Sequence, residues 1–194
     1  METHRSRIAR DIELTHRQKE ILFGSMLGDG YLVRTTRGYA FRVNHCLGQK
    51  PLVDWKYYEL QTLTNSPPRT YKNSYYFRTV SHQLFSQLRE MFYEQNRKRI
   101  PKMLDEFLTP LALAVWIMDD GAKDGRQLRI NTQSFSLEEN EILLKFMKAK
   151  FGIWATINRD KNRYRLRVSA ASMSNVRQLV TPHIIPSMQY KLSL

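Results

Sequence analysis

Apolar positions along this chain switch between helical and strand spacing, and the whole alternation occurs twice. Over residues 17–28, Ile21, Leu22 and Met26 crowd one side of a helical pattern. Ala40 to Cys46 alternates as a strand. Leu52 to about Leu63 returns to helical spacing, until Asn65-Ser-Pro-Pro breaks it. Lys72-Asn73 marks a hairpin with strands ending near Ser81, and Gln83 to about Tyr93 predicts a helix. The second half repeats the order. Pro110 opens a helix that carries Leu113, Trp116 and Ile117 to Asp120. Residues 127–133 predict a strand, and Glu138, Glu139 and Glu141 lie early in the next helix, as the helix dipole prefers. Asp160-Lys161-Asn162 turns a second hairpin, and Ser172 to Val180 closes with a helix. Helix, two strands, helix, two strands, helix, done twice, is an α+β fold.

The residues themselves repeat with the pattern. Leu27-Gly28-Asp29-Gly30 answers Met118-Asp119-Asp120-Gly121, and Phe41-Arg42-Val43-Asn44 answers Leu128-Arg129-Ile130-Asn131. Lys72 to Thr79 answers Lys161 to Val168, and Arg99-Ile100-Pro101 answers Ile184-Ile185-Pro186. The offsets are 91, 87, 89 and 85 residues. Four pairs in one order at nearly one offset indicate a tandem duplication with pseudo-two-fold symmetry. The repeats are expected over 17–109 and 110–194, after a frayed basic lead-in at 1–16. That lead-in carries Arg5, Arg7 and Arg10 but no apolar region of the kind a secretory signal has.

Composition adds a partner class. The chain has 194 residues and a formal charge of +13, with basic residues spread along its length. That balance favours a polyanionic partner and a folded basic surface over a basic tail. One cysteine, Cys46, excludes an intramolecular disulfide and a Cys-rich zinc site. No run approaches the length of a membrane span, so no membrane role is expected.

The strands say which polyanion. Successive side chains point to opposite faces. One face of 127–133 carries Gln127, Arg129, Asn131 and Gln133; one face of 163–168 carries Arg163, Arg165 and Arg167. Arg42 and Asn44 lie opposite Phe41, Val43 and His45. An ordinary solvated face mixes in carboxylates, and these have almost none. Arg, Asn and Gln make bidentate hydrogen bonds to base edges in the major groove, which a two-stranded ribbon fits. With Lys72, Arg78 and Lys161 at the hairpins, these residues are the candidate DNA contacts.

Asp29 and Asp120 are duplicated carboxylates at the ends of duplicated helices. If those helices pack about the pseudo-dyad, both carboxylates reach one place. Without a cation they would repel and one would protonate; Mg²⁺, with Mn²⁺ as a substitute, removes the conflict and suits phosphodiester hydrolysis. A single Asp-Gly is more often a helix end giving way to a turn. A symmetric pair in a basic chain favours the metal.

Leu22-Phe-Gly-Ser-Met-Leu-Gly-Asp29-Gly30 and Leu113-Ala-Val-Trp-Ile-Met-Asp-Asp120-Gly121 resemble the two signature helices of single-chain LAGLIDADG homing endonucleases. Asn131-Thr-Gln-Ser-Phe and the closing Tyr190-Lys191-Leu192 extend the resemblance over roughly residues 17 to 194. It implies two αββαββα halves, whose antiparallel sheets form a saddle over duplex DNA with helices on the far face. It implies a monomer with internal pseudo-dimer symmetry that hydrolyses both strands across the minor groove. The product has short 3′ overhangs at a long asymmetric site, for intron homing, and no covalent intermediate forms. Asp29 and Asp120 would be the catalytic metal ligands, joined by the backbone carbonyls of Gly28 and Asp119, with Lys98 and Lys191 near the attacking waters. The chain is then expected inside the cell, with the DNA of its encoding genome, in a bacterial cytoplasm, chloroplast or mitochondrion.

Two departures from the family pattern carry expectations. Val115 and bulky Trp116 follow where the first helix has Gly24, which predicts a wider or offset crossing. Lys98 aligns with His183 across the repeat, so the two lysines are not symmetric in sequence. Rivals are weaker. His4, His16, His45, His82 and His183 are too scattered for a His-Asn-His nuclease, and no P-loop is present. The serious alternative is an intron-splicing maturase or a DNA- or RNA-binding regulator on the same fold, with intron RNA as partner. Survival of both carboxylates favours the nuclease.

Overall fold

The computed structural model describes residues 4–193, and its first element revises the reading of the lead-in. His4–Asp11 (α1) is a helix, with Ala9 buried and Leu14 buried just after it. His82 ties this segment down, Nε2 donating to the Ile12 carbonyl at 3.0 Å. The start of the predicted lead-in, residues 1–3, lies outside the described residues.

The first repeat follows as His16–Leu27 (α2), Tyr31–Thr35 (β1), Gly38–Cys46 (β2), Lys50–Leu60 (α3), Arg69–Tyr71 (β3), Ser74–Ser81 (β4) and Gln83–Phe92 (α4). A small hairpin, Tyr93–Glu94 (β5) and Arg97–Lys98 (β6), and a short helix, Leu104–Phe107 (α5), lead to the second. That repeat is Pro110–Asp120 (α6), Gly121–Asp124 (β7), Gln127–Ile130 (β8), Leu137–Phe151 (α7), Ala155–Asp160 (β9), Arg163–Val168 (β10) and Met173–Val180 (α8). Each repeat is thus αββαββα. The antiparallel sheets have matching orders, β1-β2-β4-β3 and β7-β8-β10-β9.

Local chemistry starts the central helices alike. Thr15 caps α2, accepting the Gln18 N–H at 3.2 Å while Gln18 returns the bond to the Thr15 N–H at 3.1 Å. Thr109 caps α6, accepting from Ala112 N–H at 3.1 Å, and Pro110 takes the first position, where a missing N–H costs nothing. Both helices are buried along most of their length, Trp116 completely. They cross closely, contrary to the expectation drawn from Val115. A Cβ at Gly24 would stand 2.3 Å from the Ala112 carbonyl oxygen and 2.7 Å from the Val115 side chain. The glycine on one helix makes room for the valine on the other.

Three element ends differ from the sequence reading. α3 stops at Leu60, and a 3-10 turn takes Gln61–Leu63. Tyr93 already belongs to a strand. The strand expected over 127–133 stops at Ile130, because the Thr132 hydroxyl turns inward to Asn140 Oδ1 at 2.5 Å. Asn131 and Gln133 therefore stand beyond the strand. Glu139 joins the halves: it closes the α7 capping box with Ser136, pairs with Arg97, and accepts the Ile100 N–H at 3.2 Å. Among the described residues no helix is long and apolar enough to cross a membrane.

Candidate active site and nucleic-acid interface

The crossing of α2 and α6 delivers the repeated aspartates to one place. A Cβ at Gly28 would stand 2.5 Å from Asp119 Cβ, so the two segments touch immediately before Asp29 and Asp120. Asp29 keeps 48% of its side chain exposed. Asp120 is half-buried, and its carboxyl is pushed up to about 8, first by desolvation, then by the negative charges of Asp29 and Asp119.

Lys98 and Lys191 reach this place from unrelated elements. Lys98 ends β6 and donates to the Gly28 carbonyl at 2.6 Å. Lys191 ends the 3-10 turn Pro186–Lys191 and donates to the carbonyls of Met118 at 2.5 Å, Asp119 at 3.1 Å and Ile117 at 3.3 Å. Arg177 of α8 fastens that turn through the Leu192 carbonyl at 2.9 Å. Each lysine thus binds the carbonyl before its own repeat's aspartate, Lys98 by that one bond and Lys191 together with two further carbonyls, so residues that do not align reach matching places. Burial pulls the Lys98 ammonium down to about 8 against the pull of Asp120, Asp119 and Asp29, and burial likewise lowers Lys191.

A buried cluster escaped the sequence reading. Lys56, completely buried, grips the Asp119 carboxylate at 2.6 and 2.8 Å, and Asp119 Oδ2 accepts the Asp29 N–H at 3.3 Å. Buried His45 lies beside it, its Nδ1 2.9 Å from Gln49 Oε1 and 3.6 Å from Asp29 Oδ2. Its Nε2 stands 3.7 Å from Asp119 Oδ1 and has no hydrogen-bond partner. Desolvation holds the imidazole below its ordinary value, so it is neutral at pH 7 and these contacts are not ion pairs. The signal for Lys56 was a charge inside an apolar helical stripe, with Leu52, Val53 and Leu60.

The donor set fits a hard divalent cation. Among the described residues no three His, Cys, Asp or Glu side chains form a metal-binding group. Asp29, Asp120 and the carbonyls of Gly28 and Asp119 are oxygen donors. Such a sparse protein shell suits Mg²⁺, which keeps several waters and shares phosphate oxygens. Burial and the neighbouring carboxylates raise the Asp120 carboxyl, and a bound cation would draw it back to its charged form. The two carbonyls are shared with the lysines, which the sequence reading did not foresee.

The sheet faces place most of the candidate contacts together. Arg42 pairs across with Arg78, and Asn44 with Tyr76. Arg42 also stacks on Tyr76, 4.6 Å from the ring centroid. Arg129 pairs across with Arg167. Lys72 and Lys161 tip the β3–β4 and β9–β10 hairpins, both with positive φ (53° and 55°). The faces are less free of carboxylate than expected. Asp124 accepts from Arg167 Nη2 at 2.6 Å and Nε at 3.1 Å, and lies 4.0 Å from Arg129. Asp160 accepts from Gln133 at 2.9 Å and lies 3.6 Å from Arg165. Arg163 donates to the Gln133 carbonyl at 3.3 Å. These acids hold neighbouring guanidinium and amide groups in place, and Arg167 and Gln133 in turn hold Asp124 and Asp160 below the usual carboxylate range.

Comparison with known proteins gives one family. Residues 19–176 match the model described as the LAGLIDADG DNA endonuclease family. The chain is 35% identical to the cytochrome b mRNA maturase bI2 of Saccharomyces cerevisiae, over 89% of this chain and 46% of that protein. It is 30% identical to a probable intron-encoded endonuclease 1 of Wickerhamomyces canadensis, over 90% and 83%. The chain spans about half the length of the maturases it matches. Among solved structures, the homing endonuclease I-WcaI bound to its DNA recognition sequence superposes with a TM-score of 0.87 at 30% identity, covering 94% of this chain and 88% of that one.

Proposed function

The chain belongs to the LAGLIDADG DNA endonuclease family, and from that premise we propose that it is a homing endonuclease that makes a double-strand break in DNA. The target is long and asymmetric, the ends carry short 3′ overhangs, and Mg²⁺ is the cofactor, with Mn²⁺ able to replace it. The carrying observation is the convergence of Asp29 and Asp120 at the crossing of two helices, each flanked by a lysine on the preceding carbonyl.

Asp29 and Asp120 would hold the cation, which would supply positive charge at the scissile phosphates. Lys98 and Lys191 bring positive charge to the same phosphates. Lys98, drawn toward neutrality by burial, is also able to release or hold a proton at Nζ near pH 8. Basic sheet faces bind the phosphate backbone, and Arg42, Asn44, Gln127 and Arg129 read base edges. The protein acts as a monomer on the DNA of the genome that carries its target, in a mitochondrion, chloroplast or bacterium.

Replacing either aspartate tests the reading. Asp29→Asn and Asp120→Asn are expected to abolish double-strand cleavage while leaving target binding largely intact. Full cleavage by either variant sinks the assignment. A second reading, an intron-splicing maturase, is favoured by the 35% identity to the yeast maturase. Binding to intron RNA without cutting the intron-insertion sequence is the result that selects it.

A further inference from the structure

The two aspartates do not stand on equivalent backbone. α6 runs through Asp120, and the N–H of the next residue, Gly121, still bonds back to Ile117. α2 stops at Leu27. Gly28, its last capped residue, leaves helical geometry with ψ −137°, and Asp29 lies outside the helix. The Asp29 N–H instead donates to the side chain of Asp119, from the opposite helix, at 3.3 Å. That carboxylate has no freedom to drift, because buried Lys56 binds both of its oxygens.

Among the described residues the other repeat has no such device. Buried positions on α3 and α7 correspond at a constant spacing of 87 residues, Val53 with Asn140, Lys56 with Leu143, and Leu60 with Met147. Leucine therefore stands where α3 has Lys56. Gly28 stands where α6 has Asp119, and Thr132, engaged with Asn140, stands where β2 has His45. A buried ion pair is poor value as a source of stability, since desolvation cancels most of its attraction. Its retention on one side only needs another reason.

We infer that Lys56 is a positioning residue. Through the Asp119 carboxylate it fixes the main chain at Asp29 and makes the two halves of the catalytic centre unequal, so that the two DNA strands are cut at different rates. The inference rests on the reading of Asp29 and Asp120 as the cleavage carboxylates. Asp119 supplies from outside the hydrogen bond that a continuing helix supplies to Asp120. Removing the pair frees the Asp29 backbone and leaves the Asp120 backbone as it was.

The test compares strand-specific nicking by the wild type and by Lys56→Leu/Asp119→Ala, which leaves no buried charge unpaired and keeps a good helix former in α6 beside Asp120. A duplex target labelled on each strand gives the two rates. Loss of support around a metal-binding group costs about 10–100-fold, so a change of that size in the ratio of the strand rates is expected. In the metal-free protein the Asp29 amide is expected to exchange its hydrogen faster by a similar factor. Asp119→Asn, which keeps the shape and Lys56, serves as the second variant and is expected to shift both readouts in the same direction. Equal slowing of both strands, or an unchanged Asp29 amide in a folded variant, overturns the inference. Asp29→Asn and Asp120→Asn run alongside: if either cuts fully, the catalytic reading itself has failed. If both are inactive and the strand ratio is unmoved, only Lys56 has lost its role.

Discussion

Lys98 Nζ lies 2.6 Å from the carbonyl oxygen of Gly28, the residue immediately before Asp29. A buried ammonium on that carbonyl stands beside any phosphate that Asp29 helps to bind, where developing negative charge is costly. Lys98→Met is therefore expected to slow single-turnover cleavage by on the order of 100–1000-fold, the usual cost of one preorganised electrostatic partner. Target affinity, which the proposed reading assigns mainly to the sheets, is expected to fall far less. A labelled duplex gives both quantities, and an unchanged cleavage rate removes Lys98 from the catalytic centre.

Asp120 links acidity to metal. Its folded carboxyl holds a proton up to about 8, whereas the ordinary value is 3.8. Between those values the folded protein binds a proton that the unfolded chain has lost, so this group's contribution to stability falls as pH rises through the window. A divalent cation must displace that proton at the lower end and meets none at the upper. Mg²⁺ is thus expected to raise the melting temperature more at about pH 8.5 than at about pH 6.5, and Asp120→Asn is expected to shrink the difference to the part that Lys98, itself near 8, contributes. A larger metal effect at the lower pH contradicts the account.

The hairpin tips set stability against binding. Lys161 has a φ of 55°, in the left-handed region, where a side chain costs energy that glycine does not. Lys161→Gly is expected to stabilise the protein by roughly 0.5–1 kcal/mol in urea melts. It is also expected to weaken DNA binding across all sequences and to lower the salt slope by about 1 if Lys161 meets a phosphate. Unaltered salt dependence takes Lys161 out of the interface.

Asp124 restrains the arginines of the second sheet, binding Arg167 and approaching Arg129. Asp124→Asn loosens both guanidinium groups and removes a negative charge from the sheet face proposed to meet DNA. Non-specific affinity is expected to rise while discrimination between target and single-base variants falls. Arg129→Ala is expected to cost about 1–3 kcal/mol at one local base position. A uniform loss over all sequences marks Arg129 as a phosphate contact.

Periodicity and repetition were enough to read the fold and to bring Asp29 and Asp120 together at the ends of the central helices, because both follow from local spacing. Ile21, Leu22 and Met26 mark α2, and the Asp-Gly pairs mark where each central helix gives way to the chain beyond it. What sequence concealed was set by approach from a distance. Lys98 precedes the Ile100-Pro101 pair and Lys191 follows the matching Ile185-Pro186, so no alignment pairs two lysines that each reach a carbonyl before an aspartate. Lys56 is exposed to notice only as one charge in a buried stripe, and its partner Asp119 was read for its carbonyl alone. Gly24 showed the reverse: the loss of glycine at Val115 looked like a looser crossing, yet one glycine suffices when the opposite helix fills its place. The strand through Gln133 failed because Thr132 found a buried partner in Asn140, which alternation cannot register.

The central claim is tested most directly by incubating the protein with DNA that carries the uninterrupted intron-insertion sequence of its encoding genome, with Mg²⁺ and without metal, and sequencing the ends. The account predicts Mg²⁺-dependent ends at one site with short 3′ overhangs, absent with Asp29→Asn and Asp120→Asn. Metal-independent cutting, blunt or 5′-overhanging ends, or full cutting by either aspartate variant contradicts it.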